Sequence, residues 1–347
     1  MKVSRVFIMI ILAALNLPLF AGGSRQSSNS DGVAVSPAAV SGAKLSGKVI
    51  VYQPSPAGLA DKLAAGFEAK TGVKVEQFQG TTGEILARLE TEAANPQADV
   101  VILASWADGL TMKKEGKLLS YAPEGSNRMH NTWKDADNTI FGSSASAVGV
   151  IYNTRIFPTL QADWQDLAGA QYKNQLAIPD PERSGSCKDF LSGFINNKGE
   201  TSGWRVWESL AANGMKVPGA NAAALEAVTT GEKGILVAGV DYNAYSSMAR
   251  GEPLNIYYPV GGTVINPRPA MILKTSPNTA NAKAFMDYLL SDEAQNLVAN
   301  AYLLPGRSDI RCTNRANISD IPVLSTDWDW MMKNASEISA RLNRICK

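Results

Sequence analysis

The stretch from Val49 to Leu103 constrains the fold more than any other part of the chain. Val49-Ile50-Val51-Tyr52 is a short β-branched run followed by the turn residues Gln53-Pro54-Ser55-Pro56. Leu59, Leu63 and Phe67 then recur at helical spacing until Gly72. Val73 to Phe78 alternates as a second strand, Gly80-Thr81-Thr82-Gly83 precedes a helix carrying Ile85, Leu86 and Leu89, and Val100-Val101-Ile102-Leu103 is apolar without a break. A strand without polar alternation belongs in a sheet covered on both faces. The order strand-helix-strand-helix-strand reads as a doubly wound α/β lobe, whose ligands bind at the carboxyl ends of the strands. Ser55, the Gly80–Gly83 loop and Ser105-Trp106 fall along that rim.

A chain of 347 residues is long enough for a second lobe. Val148 to Tyr152 reads as the strand that opens it. Leu176-Ala177-Ile178, a helix from about Cys187 to Asn196, another from Trp204 to Asn213, and the strand Gly234 to Val240 follow. Ile256 to Tyr258 and Ala270 to Leu273 read as strands flanking a return crossing. The helices Ala282 to Leu290 and Asp292 to Asn300 are expected to pack on the first lobe. The division is 48–147 and 148–263 for the two lobes, and 264–347 for the return and the C-terminal helices. At the other end, Lys2, Arg5 and the apolar run Val6 to Phe20 have the form of an export signal ending at Gly23. Leu19 to Gly23 is like a lipoprotein box without its cysteine, so the mature chain is read as soluble and periplasmic. Residues 24–47, rich in Ser, Ala, Gly and Asn, read as a flexible tether.

Charge narrows the partners. Lys plus Arg number 33 against 32 for Asp plus Glu, a net +1, which lacks the basic surplus of a nucleic-acid or polybasic membrane binder. His130 is the one histidine, so multi-His metal sites are excluded, and a Ser-His-Asp or Cys-His mechanism would have to use it. Of the three cysteines, Cys312 and Cys346 could form a disulfide that pins the final helix, leaving Cys187 single.

Two loops carry anion chemistry. Gly80-Thr81-Thr82-Gly83 and Ser184-Gly185-Ser186 each stand ahead of a helix, offering free N–H groups, hydroxyls and a close approach to the backbone. Each also suits plain N-capping. Asp241-Tyr242, at a strand end, would accept hydrogen bonds from sugar hydroxyls or pair with an amine; the alternative for Asp241 is a helix cap. Trp106 suits stacking on a sugar ring or a place in the core. Arg268, between Pro267 and Pro269, suits an anion or a surface ion pair.

With these loops in hand, the chain from about Lys48 to Leu342 resembles the periplasmic solute-binding proteins of ABC importers. The likeness is to the ferric-iron-binding branch, which also holds binders of hexose phosphates and of 2-aminoethylphosphonate. The matching stretches are VIVYQPSP, GTTGEILARL, ADVVILAS, AVGVIYNT, DPERSGS, ILVAGVDY and GTVINPRPAMILK with NAKAFMDYLLSDEAQ. The resemblance implies a type II fold of two α/β lobes joined by a strand hinge, working as a monomer without cofactor or catalysis. It also implies cargo delivered to a membrane permease driven by a separate ATPase. Iron binders of the family carry two adjacent tyrosines where Asp241-Tyr242 stands, so only Tyr242 matches. Tyr257-Tyr258 are adjacent but lie on a strand, on opposite faces. Ser184-Gly185-Ser186 and GTVINPRP are more similar to the phosphate-ester and phosphonate binders. The expected cargo is a small phosphorylated ligand or phosphonate, the alternative ferric iron. The competing class is an enzyme using Cys187.

Overall fold

A computed structural model describes residues 45–347. The expected export signal, and all but the last three residues of the expected tether, lie outside the described residues.

The first strands follow the apolar pattern. β1 (Lys48–Gln53) leads through α1 (Ala57–Thr71) to β2 (Lys74–Gln79), then α2 (Thr82–Thr91), β3 (Val100–Ile102) and α3 (Trp106–Lys114). Gly72 ends α1 because the chain there turns left-handed at φ 73°, a conformation that costs glycine little. β1 pairs parallel with both β2 and β3.

The 13-residue β4 (Phe141–Asn153) is buried along its whole length. β5 (Leu176–Ala177), α4 (Gly185–Lys198), α5 (Glu200–Ala212) and α6 (Asn221–Thr229) follow. Next come β6 (Ile235–Val240), α7 (Asp241–Ala249), β7 (Leu254–Tyr257) and β8 (Ile265–Ile272). The chain closes with α8 (Thr279–Leu289), α9 (Asp292–Asn300), β9 (Leu304–Pro305) and α10 (Trp328–Ile345). The main strand order is β2-β1-β3-β8-β4-β6-β5, with β7 and β9 also pairing β4.

β4 is the strand that joins the halves. Residues 141–147 pair with β8, and residues 148–152 pair with β6. The two ladders are interrupted by irregularities after Gly142 and after Gly149. The strand starts at Phe141, seven residues before the expected Val148. Its first half, Gly-Ser-Ser-Ala-Ser-Ala, has weak strand propensity, and pairing on both edges overrides that preference. α6 was not anticipated either; its apolar side, Ala224, Ala227 and Val228, is short and small.

α8 and α9 pack on α1 and on β1, β8 and β4 of the sheet, whereas α10 packs against α4, α5 and α3. The expected Cys312–Cys346 disulfide is absent: all three cysteines are free and buried. Cys312 donates its thiol to the Leu303 carbonyl at 3.3 Å, while α10 carries Cys346 into the same apolar cluster as Cys187.

Candidate anion site in the interlobe cleft

The pairing of β4 with β8 sets Ser144 opposite Arg268 and Ser146 opposite Asn266. Residues two apart on a strand share a face, so these four polar side chains form one strip. Ala145, Ala147 and Ile265 pack into an apolar cluster on the other face. Two elements of the second lobe cover the strip. Ser186, in the first turn of α4, brings its Oγ to 3.3 Å from Ser146 Oγ. Tyr242, in the first turn of α7, lies with its ring centroid 5.8 Å from the Arg268 guanidinium.

Arg268 is only 1% exposed, yet its Nε and Nη2 have no hydrogen-bond partner among the described residues. Asn266 Oδ1 is orphaned in the same way. Buried polar atoms nearly always find a partner, and an uncompensated buried ion costs several kcal/mol. Burial drives the Arg268 pKa below its ordinary value, although Tyr242 and Asp241 favour the charged form. An unpaired guanidinium fork presents parallel donors that match a phosphate or carboxylate edge.

Three helix starts meet beside the strip. Thr81 caps α2 in a reciprocal box: its Oγ accepts from Glu84 N–H, and the Glu84 carboxylate accepts from Thr81 N–H at 2.7 Å. Thr82 Oγ1 accepts from Ala104 N–H at 3.1 Å. Ser184 caps α4 by accepting from Cys187 N–H, and its own hydroxyl donates to Asn221 Oδ1 at 2.8 Å. The first turn of α3 is taken by the second lobe: Asp189 accepts from Ser105 Oγ at 2.7 Å and from Trp106 N–H at 2.8 Å. Beside it, Lys188 Nζ pairs with Asp108 at 2.7 Å. Burial, and then the Asp108 charge, raise Asp189 to a pKa of about 7, against the opposing hydrogen bonds from Ser105 and Trp106.

The lobes approach closely enough to require glycine at two points. A Cβ on Gly83 would sit 2.8 Å from the Glu182 carbonyl oxygen, and one on Gly185 would sit 2.8–2.9 Å from the Ala104 carbonyl group.

A second polar node adjoins the strip. Asp241 is fully buried, and both of its oxygens are engaged: Oδ2 accepts from Arg315 Nη2 at 2.5 Å, Ala147 N–H at 3.0 Å and Tyr258 Oη at 3.1 Å, and Oδ1 from Tyr242 N–H at 2.8 Å. Among the described residues no group of three or more His, Cys, Asp or Glu side chains is placed to hold a metal ion.

Comparison with known proteins places this architecture. The family profile for bacterial extracellular solute-binding proteins matches residues 95–334, more than half of the chain. The chain belongs to that family. This solute-binding protein is 26% identical over 266 residues to iron uptake protein A1 of Synechocystis, covering 71% of this chain and 72% of that one. It is also 26% identical over 300 residues to a putative 2-aminoethylphosphonate-binding periplasmic protein of Salmonella typhimurium, covering 80% and 85%. Among solved structures, the periplasmic binding protein AfuA of Actinobacillus pleuropneumoniae, with fructose-6-phosphate bound, superposes with a TM-score of 0.77 at 22% identity, covering 86% of this chain and 97% of that one. Iron-bound HitA of Pseudomonas aeruginosa gives 0.75 at 19%, covering 85% and 99%. The two-lobed type II fold expected from the resemblance is the one observed.

Not every expected site residue of the solute-binding protein faces the strip. Ser186, Tyr242 and Arg268 do. Gly83 and Gly185 line the lobe contact. Thr81 and Ser184 serve as caps, and Thr82 ties α2 to Ala104. Ser55 lies in the turn after β1, half-buried and without a hydrogen bond to any of the others. Two expectations are corrected. Ser105 and the Trp106 N–H answer Asp189 rather than a free rim, and the Trp106 ring is buried in the first-lobe core with Ile85, Leu103 and Met112. Asp241, expected to receive sugar hydroxyls or an amine, is saturated by Arg315 and Tyr258. Cys187 donates its thiol to the Pro179 carbonyl, and complete burial holds its pKa well above the ordinary value, so it lacks the character of an activated nucleophile. Sequence reasoning missed Ser144, Ser146, Asn266, Asp189 and Arg315. The one signal for the strip was the serine-rich run inside an otherwise apolar strand.

Proposed function

We propose that this solute-binding protein captures a small oxyanion, a phosphate ester or a phosphonate, in the cleft between its lobes and hands it to an ABC permease from the periplasm. The observation that carries the reading is the buried Arg268 guanidinium with two unpartnered nitrogens. The cargo anion supplies the missing acceptors. Ser144 and Ser146 in the strip and Ser186 above it add hydroxyl donors, and Asn266 Oδ1 accepts from a cargo hydroxyl. Closure is driven only by the difference in cargo affinity between closed and open forms. Arg268 on the first-lobe strand and Ser186 and Tyr242 on the second lobe meet the same group only when the lobes are shut, which supplies that difference. The relative named for 2-aminoethylphosphonate supports this class of cargo.

The test is thermal shift with hexose phosphates, 2-aminoethylphosphonate, inorganic phosphate and ferric ion, on wild type and Arg268→Met. Bound cargo raises the melting temperature by linkage. Wild type is expected to respond to at least one phosphorylated compound, and Arg268→Met to bind it ~30- to 1,000-fold more weakly, the loss of about 2–4 kcal/mol for removing one partner of a buried charged pair. An unchanged response in Arg268→Met overturns the reading.

A further inference from the structure

Arg315 lies between β9 and α10 and is almost completely buried, 8% exposed. Every arm of its guanidinium is tied: Nε to the Ala316 carbonyl and Nη1 to the Tyr302 carbonyl, both at 2.8 Å, and Nη2 to Asp241 and to Tyr258 Oη at 3.2 Å. Its charge also lies over the Tyr245 ring, 5.3 Å from the centroid, and Tyr245 stacks on Tyr302. Three oxygens of hard-donor character gather around this one cation. Tyr258 Oη is 3.1 Å from Asp241 Oδ2 and 3.4 Å from Tyr245 Oη. Neighbouring oxygens around a small, hard metal ion stand on the order of 3 Å apart, as a metal–oxygen distance of about 2.0–2.1 Å in an octahedron requires. The node adjoins the cargo strip, because Asp241 bonds the Ala147 N–H and is followed directly by Tyr242.

We propose that Arg315 is a built-in cation that fills this position in the cleft wall, denying Asp241, Tyr245 and Tyr258 to a metal ion or to an ammonium group of the cargo. Arg315 is thereby a specificity-determining residue: it closes the cation half of the cleft and leaves only the anion half, at Arg268, open. The inference deepens the oxyanion reading and rests on it. It also accounts for a chain that shares its fold with an iron-bound protein while its own carboxylate and phenols are already spoken for. An ammonium-bearing phosphonate would be held by its phosphonate end alone, so this cleft should rank it below a phosphate ester of similar size that carries hydroxyls and no ammonium group.

The test is gain of cation binding. Arg315→Ala and wild type are mixed with one equivalent of Fe³⁺ as its nitrilotriacetate complex, and separately with methylguanidinium or its neutral analogue urea, each at millimolar concentration. Arg315→Ala is expected to develop the visible absorption of phenolate-bound ferric ion while wild type stays colourless. Methylguanidinium should raise the melting temperature of the variant by several degrees and abolish the colour, with no effect on wild type, and urea should do neither. Should the variant fold too poorly for the colour assay, refolding with methylguanidinium but not with urea supports the proposal equally. A folded variant that stays colourless and indifferent to methylguanidinium, a poorly folded one rescued by neither compound, or a wild type that colours, overturns it. Those outcomes leave the phosphate response of wild type untouched, so they are separable from a failure at Arg268.

Discussion

Arg268 and Arg315 are both arginines buried at the waist of the molecule, and the protein treats them oppositely. Arg315 is surrounded by carbonyls, a carboxylate and phenols, and Asp241 raises its pKa above the ordinary value although burial acts the other way. Arg268 has two enclosed nitrogens with no partner, and burial lowers its pKa. A buried charge is tolerated where its partners are part of the fold. Where they are missing, as at Arg268, the proposed oxyanion would supply them. On the proposed reading, hydrogen-bond accounting alone separates a structural ion pair from a binding residue, since both side chains are buried.

The largest effects should come from opposite substitutions at the two nodes. Asp241→Asn leaves Arg315 uncompensated and is expected to cost about 3–5 kcal/mol of stability, read as a lowered denaturation midpoint. Arg268→Met removes a charge that has no partner, so the cargo-free protein should lose no stability or gain some, even as it loses cargo affinity. Equal destabilisation by both variants would erase the distinction between the nodes. Next in size is the lobe contact. Gly185→Ala pushes a methyl group into the Ala104 carbonyl, and the closed form should weaken by ~1–3 kcal/mol of overpacking, about 5- to 150-fold in cargo Kd, with the fold intact. Undiminished affinity would mean that cargo is held without this closure.

The smallest effect is a slope rather than a step. Asp189 has its pKa raised in the folded protein from 3.8 to about 7, so the native state binds the extra proton between those values. Its contribution is therefore fully present below about pH 4 and lost as pH rises toward 7. Asp189→Asn should flatten stability against pH over that interval in a series of denaturant titrations. An unchanged slope would show that Asp189 titrates normally and that the clasp on α3 is exposed to water.

Much of the architecture was legible because local patterns and burial agreed. The unbroken apolar runs at β3 and β6, the helical spacing in α1 and the glycine stop after it all report on near neighbours. β4 was half-hidden because serines and alanines hold a strand there only through partners on both edges. The same distance effect governed the site. Arg268 could be named from its place between two prolines, but whether it served an anion or a surface pair depended on what β4, α4 and α7 brought to it. Asp241 was visible as a strand-end carboxylate, and its true partner lies 74 residues further along the chain.

By itself, then, the amino-acid order determined the alternating α/β elements and the residues suited to cap the helices, because each depends on periodicity and propensity within a few residues. The anion chemistry expected at the helix starts did not follow, since Glu84, Asn221 and Asp189 occupy those groups. Only the tertiary structure decided which charge is neutralised and which is left open. Compensation of a buried ion is a property of the groups packed around it, and those come from remote segments that no local pattern connects.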